Sequence, residues 1–449
     1  MKFKWKTRKL GELVTFLSGG TPSKNNKDYW GGDIPWISAS SMQSTRYHDS
    51  DLRVTALGSS NGTRLVPEGT VLLLVRGGAL HNKIPVGITT REVTFNQDVK
   101  ALIPKTTEIT PYYLLSWLMS ERALLLSKVE NTGIGAGKLD TRILQDLDVL
   151  IPPKAELQRL ESFSRALDDK IILTDRINQT FEQMAQALFK SWFVDFEPVK
   201  AKIAVLEAGG SQEDATLASM TAISGKDAVS LTVFEQEHPE KYAELRATAE
   251  LFPSTMQESE LGDIPAVWSS QRMSNIATLH YGKALKKTER IDGPYPVYGS
   301  GGVTGSHNGY LVEGPGIIVG RKGSIGTIYW EDGKFHPIDT VYYVATKEEI
   351  PLSYLYYLMK TLNLPSMNTD AAVPGLNRDN VYRLEVLKPT QSILNKFDNH
   401  IATIRNGIQK NNNTIVSLVG LRDTLLPKLL SGEISLPKAE ELAKEADYV

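Results

Sequence analysis

The chain has 449 residues, which is enough for about two to four domains whose cores need no covalent cross-links. Its 41% hydrophobic and 23% charged residues are typical of a folded globular protein, and the absence of cysteine excludes disulfides and thiolate metal sites. The net charge of −2 argues against a uniformly basic nucleic-acid binder, but residues 1–150 carry +5 and residues 198–262 carry −6. A basic first part can therefore still face a polyanion, with plain solvation of these charges as the alternative.

Membrane insertion and secretion are not indicated by any part of the sequence. No apolar run reaches the roughly 18 residues that cross a bilayer, and no apolar stretch with a cleavage site follows the basic N-terminus. We therefore expect a cytoplasmic protein that makes no contact with a membrane.

The same pattern occurs twice along the chain, in the same order and with loops of different length. Matching segments that keep their order while the distance between the copies changes by a few residues indicate two copies of one domain. The matching segments are LDTRILQDLDVLIPP (139–153) with LNRDNVYRLEVLKP (376–389) at an offset of 237, VPEGTVLLLVRGG (66–78) with VEGPGIIVGRKG (312–323) at 245, and TPYYLLSWLM (110–119) with IPLSYLYYLM (350–359) at 240.

Each copy is predicted to be a compact α+β domain, over residues 1–153 and 263–389. Short apolar runs such as 71–75 and 316–320 indicate buried strands, amphipathic stretches at 111–128 and 351–362 indicate helices, and frequent Gly and Pro indicate long surface loops.

After each copy the pattern changes to heptads, which predict long helices over residues 154–197 and 390–431. An apolar stripe this narrow favours pairing of the two helices with each other, with packing of each helix on its own domain as the alternative. Asn178 and Asn411 are candidate register-setting positions, and Pro427 disfavours the last turn. The seam residues expected to pair are Leu160, Leu167, Ile171, Phe181, Leu188, Phe397, Ile401, Ile404, Ile408, Ile415 and Leu418.

Two segments lie outside the repeats and the helices. Residues 198–262 form an acidic insert whose Ala- and Glu-rich composition predicts helices, ending in the turn-rich sequence GDIP. Residues 432–449 are interpreted as a C-terminal tail.

The sequence contains no constellation that predicts catalysis. The histidines lack metal-ligand spacing, and the glycine-rich GIGAGK (133–138) lacks the first glycine and the final Ser or Thr of a phosphate-binding loop. An amino-methyltransferase would need Asn or Asp before Pro-Pro and an aromatic residue, whereas the single Pro-Pro follows Ile151. We expect neither a catalytic nor a metal site.

A loop with cationic and glycine residues follows a buried strand in both copies. Arg contacts guanine edges bidentately, Lys and Ser hold phosphates, and Gly permits close approach of the backbone, so these loops are the candidate DNA contacts. A solvated basic turn is the alternative. The candidate residues are Arg76, Asn82, Lys83, Gln97 and Lys138 in the first copy, and Lys283, Lys286, Arg321, Lys322, Ser324, Asn377 and Arg378 in the second.

Two repeated α+β units, each followed by a long helix, resemble the specificity subunit of type I restriction-modification systems. Four motifs in order carry this resemblance across essentially the whole chain. They are WKTRKLGELVTFLSGGTPSKNNKDYWGGDIPWI (5–37), FKSWFVDFEPVKAK (189–202), LFPSTMQESELGDIPAVW (251–268) and LRDTLLPKLLSGEISL (421–436).

The resemblance implies a non-enzymatic subunit with two target-recognition domains that read a bipartite site in double-stranded DNA. It also implies two modification subunits as partners, with restriction subunits added for cleavage. S-adenosylmethionine, ATP and magnesium would be bound by those partners and not by this chain. The two helices, paired as an antiparallel coiled coil, would act as a spacer that sets the half-site separation near one helical turn of DNA. The family has no invariant base-contacting residues, so the candidate contacts above rest on charge and repetition alone.

Two rival functions remain open at this point. A coiled-coil scaffold that assembles protein partners without DNA specificity would bind independently of salt, unlike a phosphate-binding protein. An enzyme that acts on nucleic acid or sugar by itself would need catalytic groups that the sequence does not supply.

Overall fold

A computed structural model describes residues 5–131, 135–347, 349–367 and 375–445. The chain divides into two compact units, one formed by Met1–Arg176 with Asn412–Val449 and the other by Ile177–Asn411. The units divide the chain within the two long helices, whereas the sequence-based segments change at the helix ends. Within the described ranges, no helix has the length and apolar character needed to span a bilayer.

The first domain is built on short strands with few helices. Its strands are β1 Lys6–Lys9, β2 Val14–Ser18, β3 Trp30–Ile37, β4 Arg46–Tyr47, β5 Arg53–Val54, β6 Leu65–Val66, β7 Val71–Leu74, β8 Arg76–Gly77, β9 Val86–Thr89, β10 Val93–Phe95, β11 Val99–Pro104, β12 Glu130–Asn131, β13 Gly137–Lys138 and β14 Asp148–Ile151. Its helices are α1 Leu10–Leu13, α2 Ala56–Ser60, α3 Pro111–Ser120, α4 Arg122–Ser127 and α5 Thr141–Gln145.

The central sheet of this domain has the strand order β2-β11-β7-β9-β4, and a second sheet has the order β5-β3-β10-β6. All four residues of β7 are buried, as expected for an apolar strand with a neighbour on each side. Helix α3 begins at Pro111 because the Thr110 side chain accepts a hydrogen bond from the backbone N–H of Tyr113. A small sheet with the order β12-β13-β8 continues from the end of β7 and carries candidate contact residues.

The middle of the chain is helical. The first long helix, α6, spans Lys154–Phe193, and the acidic insert contains α7 Glu197–Glu207, α8 Gln212–Ser224, α9 Ala228–Glu237 and α10 Pro239–Glu250. Ser211 and Asp214 form a capping box at the start of α8, which explains why that helix begins there. The buried Lys202 ammonium donates to the carbonyl of Phe252 at 2.6 Å and so joins α7 to the end of the insert.

The second domain repeats the main strands and helices of the first in the same order, with different short strands between them. Its strands are β15 Met256–Ser259, β16 Gly262–Pro265, β17 Ser269–Arg272, β18 Ala277–Tyr281, β19 Tyr295–Gly299, β20 Gly302–His307, β21 Gly316–Gly320, β22 Ile328–Glu331, β23 His336–Pro337, β24 Val341–Thr346 and β25 Glu385–Lys388. Its helices are α11 Met273–Ile276, α12 Leu352–Thr361 and α13 Arg378–Tyr382, followed by the second long helix α14 Gln391–Leu430 and by α15 Leu436–Glu445.

The hydrogen-bond ladders define which residues of the two domains are equivalent. Lys100 on β11 lies opposite Ser18 and Leu73, and Tyr342 on β24 lies opposite Tyr281 and Val319. The equivalent pairs are therefore Ser18 with Tyr281, Leu73 with Val319, and Lys100 with Tyr342.

The same ladders correct the sequence alignment of the candidate loops by one residue. The backbone N–H groups of Val75 and Arg76 both donate to the carbonyl of Asp98, and those of Arg321 and Lys322 both donate to the carbonyl of Thr340. Arg76 is thus equivalent to Lys322, and pairing it with Arg321 at an offset of 245 was wrong. The strings VRGG and GRKG look alike in sequence, and aligning them places Val75 with Gly320. In the sheets, however, Gly320 is equivalent to Leu74.

The equivalent helices α3 and α12 need a similar correction. The hydroxyl of Tyr113 donates to the carbonyl of Leu150, and the hydroxyl of Tyr354 donates to the carbonyl of Leu387. Leu150 and Leu387 are 237 residues apart, which agrees with the offset of the aligned segments 139–153 and 376–389. Tyr113 and Tyr354 are 241 residues apart, so the offset of 240 used to align the two helices is one residue too small.

The long helices run antiparallel in each unit, which confirms the predicted fold class of two α+β domains with a paired-helix region. In the second unit, the Asn411 amide donates to Asn178 Oδ1 at 2.8 Å, so the two asparagines face each other in the seam. Gly407 lies opposite Phe181, where a Cβ atom would approach the ring to 2.9 Å. Helix α14 continues through Pro427 to Leu430, so the proline does not end it.

The first unit contains a buried ionic network around Asp168 of α6. Arg422 of α14 approaches this carboxylate to 3.0 Å and Arg46 of β4 approaches it to 3.4 Å, and all three side chains are at most 10% exposed. Arg46 also reaches the exposed Asp169, and Arg422 reaches Asp423. The network therefore connects the first domain to both helices.

The corresponding network of the second unit is centred on Glu182 of α6. Lys360 of α12 and Arg405 of α14 approach its carboxylate to 2.8 and 3.3 Å. Burial alone would raise the pKa of Glu182, but hydrogen bonds from Lys360 and Gln186 outweigh burial and the pKa is lowered. The carboxylate therefore stays charged in the folded protein.

The predicted seam residues divide between the two units. In the first unit, Leu160 packs in the core with Leu425 and Leu429, Leu167 and Leu418 are buried, and Ile171 and Ile415 are half-buried. In the second unit, the seam residues that pack in or against the core are Leu188, Phe397, Ile401 and Ile404; Ile408 is buried and Phe181 is half-buried.

Candidate nucleic-acid interface

In the first domain, the small sheet at the end of β7 collects most of the candidate residues. Arg76 on β8 pairs with Lys138 on β13 across an antiparallel ladder. The exposed Asn82 and Lys83 follow the 3₁₀ turn Gly78–His81, and the Lys83 ammonium donates to Gln43 Oε1 at 3.3 Å. Four cationic or amide side chains are thus held on two neighbouring segments, residues 76–83 and strand β13.

Gln97 lies beside this sheet, in the turn that precedes β11. Its side-chain oxygen accepts a hydrogen bond from the hydroxyl of Thr21 at 2.7 Å, which fixes the amide. The glycine-rich segment 133–138 lies partly outside the described residues. Of its described part, the carbonyl of Gly135 contacts the imidazole of His81 at 2.9 Å.

In the second domain, two of the candidate arginines meet at an aromatic side chain that the sequence analysis missed. The guanidinium carbons of Arg321 and Arg378 lie 4.8 and 5.0 Å from the ring centroid of Tyr281, the last residue of β18. Gly282 follows, and a Cβ atom there would lie 2.1 Å from the carbonyl of Ile338, so the chain leaves the strand along a path that requires glycine.

The ring of Tyr281 is supported from below by Tyr342. The two ring centroids are 5.2 Å apart, and the buried Tyr342 hydroxyl donates to the carbonyl of Leu376 at 3.0 Å. Burial raises the pKa of Tyr342, so its hydroxyl remains a neutral donor. We call the group Tyr281, Arg321, Arg378 and Tyr342 the tyrosine–arginine cluster.

The remaining candidates of the second domain occupy different environments. Lys283 and Lys322 are exposed on the segments that carry Tyr281 and Arg321, and the backbone of Lys322 bridges to Gly375. Lys286 is tied to Glu289 by a 3.7 Å ion pair, and the carbonyl of Ser324 accepts the hydroxyl of Thr327.

Asn377 has a structural contact of its own at the start of α13. Its side-chain oxygen accepts the backbone N–H of Asp379 at 2.8 Å, which is a helix N-cap. The cluster residue Arg378 follows it directly, so this cap also holds the backbone of Arg378.

Part of the signal for Tyr281 is present in the sequence. The string ATLHY (277–281) predicts a strand, but the partner strand lies more than 60 residues later, so the contact of Tyr281 with Tyr342 was not predictable from local pattern. In each unit, some of the candidate cations lie close together: Arg76 lies opposite Lys138 in the first unit, and Arg321 and Arg378 contact the same ring in the second. Within the described residues, no group of three or more His, Asp or Glu side chains is arranged to hold a metal ion.

Comparison with known proteins gives consistent matches over the length of the chain. The profile of the type I restriction modification DNA specificity domain matches residues 3–183 and 265–415. The type I restriction enzyme HindI specificity subunit of Haemophilus influenzae is 32% identical over 320 residues, which cover 65% of this chain and 70% of that protein.

Two further relatives extend these matches. The type I restriction enzyme MjaIX specificity subunit of Methanocaldococcus jannaschii is 24% identical over 98% of this chain and 94% of its own length. A crystal structure of a type I restriction-modification system S subunit from M. genitalium aligns with a TM-score of 0.44 and 15% identity over 95% of this chain and 96% of that one. With both of its domains matched by the family profile, the chain belongs to the family of type I restriction modification DNA specificity domains.

Proposed function

We propose that this chain is the specificity subunit of a type I restriction-modification complex and that each of its two domains reads one half of a bipartite DNA sequence. The observation that carries the proposal is one backbone scaffold used twice with different exposed side chains at equivalent positions. Arg76 in the first domain corresponds to Lys322 in the second, and Ser18 corresponds to Tyr281. Such a scaffold suits a protein that reads two different half-sites.

The proposed partners are double-stranded DNA, two modification subunits and the restriction subunits. The chain itself is proposed to be non-catalytic, so the adenine methyltransferase and endonuclease activities belong to those partners. S-adenosylmethionine, ATP and magnesium are likewise proposed to bind to the partners. The naming of relatives as specificity subunits of type I restriction enzymes supports this division of labour.

The test is to co-express the full chain with its candidate modification subunit and to map adenine methylation across the host DNA by direct sequencing. We expect methylation at a split motif with a fixed gap, lost when this chain is omitted. A stable complex that methylates no site, or methylation that persists without the chain, would contradict the proposal.

A further inference from the structure

We propose that Tyr281 is a positioning residue for target recognition in the second domain. It holds the guanidinium groups of Arg321 and Arg378 so that they contact base edges and phosphates of one DNA half-site. This inference rests on the proposed function, and it assigns the reading of that half-site to a defined group of side chains, the tyrosine–arginine cluster.

The geometry fixes both arginines around one partly exposed ring. Tyr281 is 49% exposed, and each guanidinium carbon lies about equally far from its centroid, at 4.8 Å for Arg321 and 5.0 Å for Arg378. Arg321 donates one hydrogen bond to the carbonyl of Asp339 at 3.1 Å, and Arg378 contacts the carbonyl of Leu279 at 3.5 Å. These contacts orient the two groups and leave most of their N–H donors available.

Among the described residues, no carboxylate forms an ion pair with either arginine of the cluster. Within the described ranges, neither Arg321 nor Arg378 forms an ion pair, and the buried Nε of Arg378 has no hydrogen-bond partner. Two cations held against one ring repel each other, and a polyanion would relieve this repulsion. The exposed Lys283 and Lys322 extend the same positive surface.

Another exposed tyrosine in the second domain shows what a purely structural contact of this kind looks like. Tyr310 is 43% exposed, and the ammonium of Lys334 lies 4.4 Å from its ring centroid. That ammonium also pairs with Glu313 at 2.9 Å, so its charge is already satisfied within the domain. In the described parts of the chain, the tyrosine–arginine cluster has no such carboxylate, which separates it from an ordinary surface contact.

The equivalent positions of the first domain carry different chemistry on the same backbone. Ser18 stands where Tyr281 stands, and Lys100, which donates to the Ser18 hydroxyl, stands where Tyr342 stands. Val75 takes the place of Arg321. The scaffold therefore accepts serine at the Tyr281 position, and the ring is a feature of the second domain and not a requirement of the fold.

The experiment uses the full chain co-expressed with its modification subunit and reads both half-sites by methylation mapping. Tyr281→Ser installs the residue that the first domain tolerates, Tyr281→Phe keeps the ring, and Tyr310→Ser is the matched control. We expect Tyr281→Ser to relax discrimination in one half-site by roughly 5- to 150-fold, the range for a displaced bidentate arginine, and to leave the other half-site unchanged. Tyr281→Phe and Tyr310→Ser should retain the wild-type motif.

Unchanged discrimination in Tyr281→Ser would overturn the inference, as would equal relaxation in Tyr310→Ser. If Tyr281→Ser fails to assemble with the modification subunit, Arg378→Gln decides by the same criterion, because it removes a cation and keeps the ring. Absence of a split motif with the wild-type chain would count against the proposed function itself, so the two failures are distinguishable.

Discussion

Arg76 is the first-domain candidate whose environment is best defined. It is exposed on β8 opposite Lys138, and its backbone is held by the carbonyl of Asp98. We expect Arg76→Ala to weaken discrimination in one half-site by about 1–3 kcal/mol if the guanidinium is bidentate to a base. Methylation mapping measures this change. The control is Arg53→Ala, because Arg53 is tied to Asp49 at 2.6 Å in the same domain; an equal effect in both variants would remove Arg76 from the recognition surface.

Asn377 allows a prediction about stability that is independent of DNA. Its side chain caps α13, and Asp140 accepts the N–H of Arg142 at the equivalent start of α5. We therefore expect Asn377→Ala to lower the free energy of unfolding by about 0.5–2 kcal/mol and Asn377→Asp to keep it, since aspartate caps equally well. Urea unfolding of the full chain measures both. A loss in Asn377→Asp as large as that in Asn377→Ala would rule out the capping role.

The sequence predicted individual cationic residues but not their partners. Arg321 and Arg378 were chosen for charge, whereas the contact that unites them requires β18, β24 and α13 to lie side by side. Pairing between strands that are far apart in sequence produces no local pattern. From the sequence alone, Tyr281 is therefore recognisable only as a residue of a strand. The one-residue error at Arg321 has the same origin, because only the ladder reveals that Val75 is its equivalent.

At the scale of elements, the network around Asp168 predicts how strongly the first domain depends on the helices. Asp168→Asn leaves the buried Arg46 and Arg422 without their shared carboxylate. We expect the free energy of unfolding to fall by roughly 3 kcal/mol. This is the lower end of the range for a broken buried ion pair, because Asp169 and Asp423 remain as partners of the two arginines. Calorimetry of the full chain measures it.

The matched control for this variant is one residue away. The Asp169 side chain is 67% exposed and contacts the same Arg46 at 3.2 Å. Asp169→Asn should therefore lower the free energy of unfolding by less than about 1 kcal/mol. Equal losses in the two variants would show that burial of the network contributes nothing beyond a surface ion pair.

The heptads predicted that the two long helices pair, because a narrow apolar stripe with a 3.5-residue repeat favours a partner helix. The two candidate register-setting residues, Asn178 and Asn411, are hydrogen-bonded to each other in the seam. The ionic networks were not predictable. Asp168 lies next to the seam position Leu167, and its partner Arg46 comes from a two-residue strand with no pattern of its own.

Ile404 and Ile408 test the seam itself. Ile404 packs against the core of the second unit and Ile408 is buried. Polar replacements at both positions should loosen the helix pair, because each leaves a polar group in an apolar contact. Size-exclusion chromatography of the complex with the modification subunit measures the result, and a fully assembled, equally stable complex would count against the seam as described.

For the whole molecule, the salt dependence of DNA binding separates sequence recognition from scaffolding. Each phosphate neutralised by Lys or Arg releases counterions, so affinity should fall about tenfold between roughly 50 and 200 mM salt even with only two such contacts. Fluorescence anisotropy with a duplex that carries the mapped motif measures this. Binding that does not change with salt would favour a protein scaffold.

The division into units also shows where sequence reasoning ends at this scale. The repeats predicted contiguous domains, but the core of the first unit includes Leu425, Leu426, Leu429 and Leu430 from the end of α14. The heptad pattern continues without a break at Arg176 and Asn411, so the sequence does not indicate that the unit boundaries fall there.

This arrangement fixes an order in which the units can be completed during translation. Once the ribosome has added Asn411, every residue of the second unit has been made, whereas the first unit still lacks Asn412–Val449. The domain that is synthesised first is therefore finished last, when the leucines at the end of α14 reach its core. A premature stop codon in this last stretch would damage the N-terminal domain while leaving the sequence of the second unit intact.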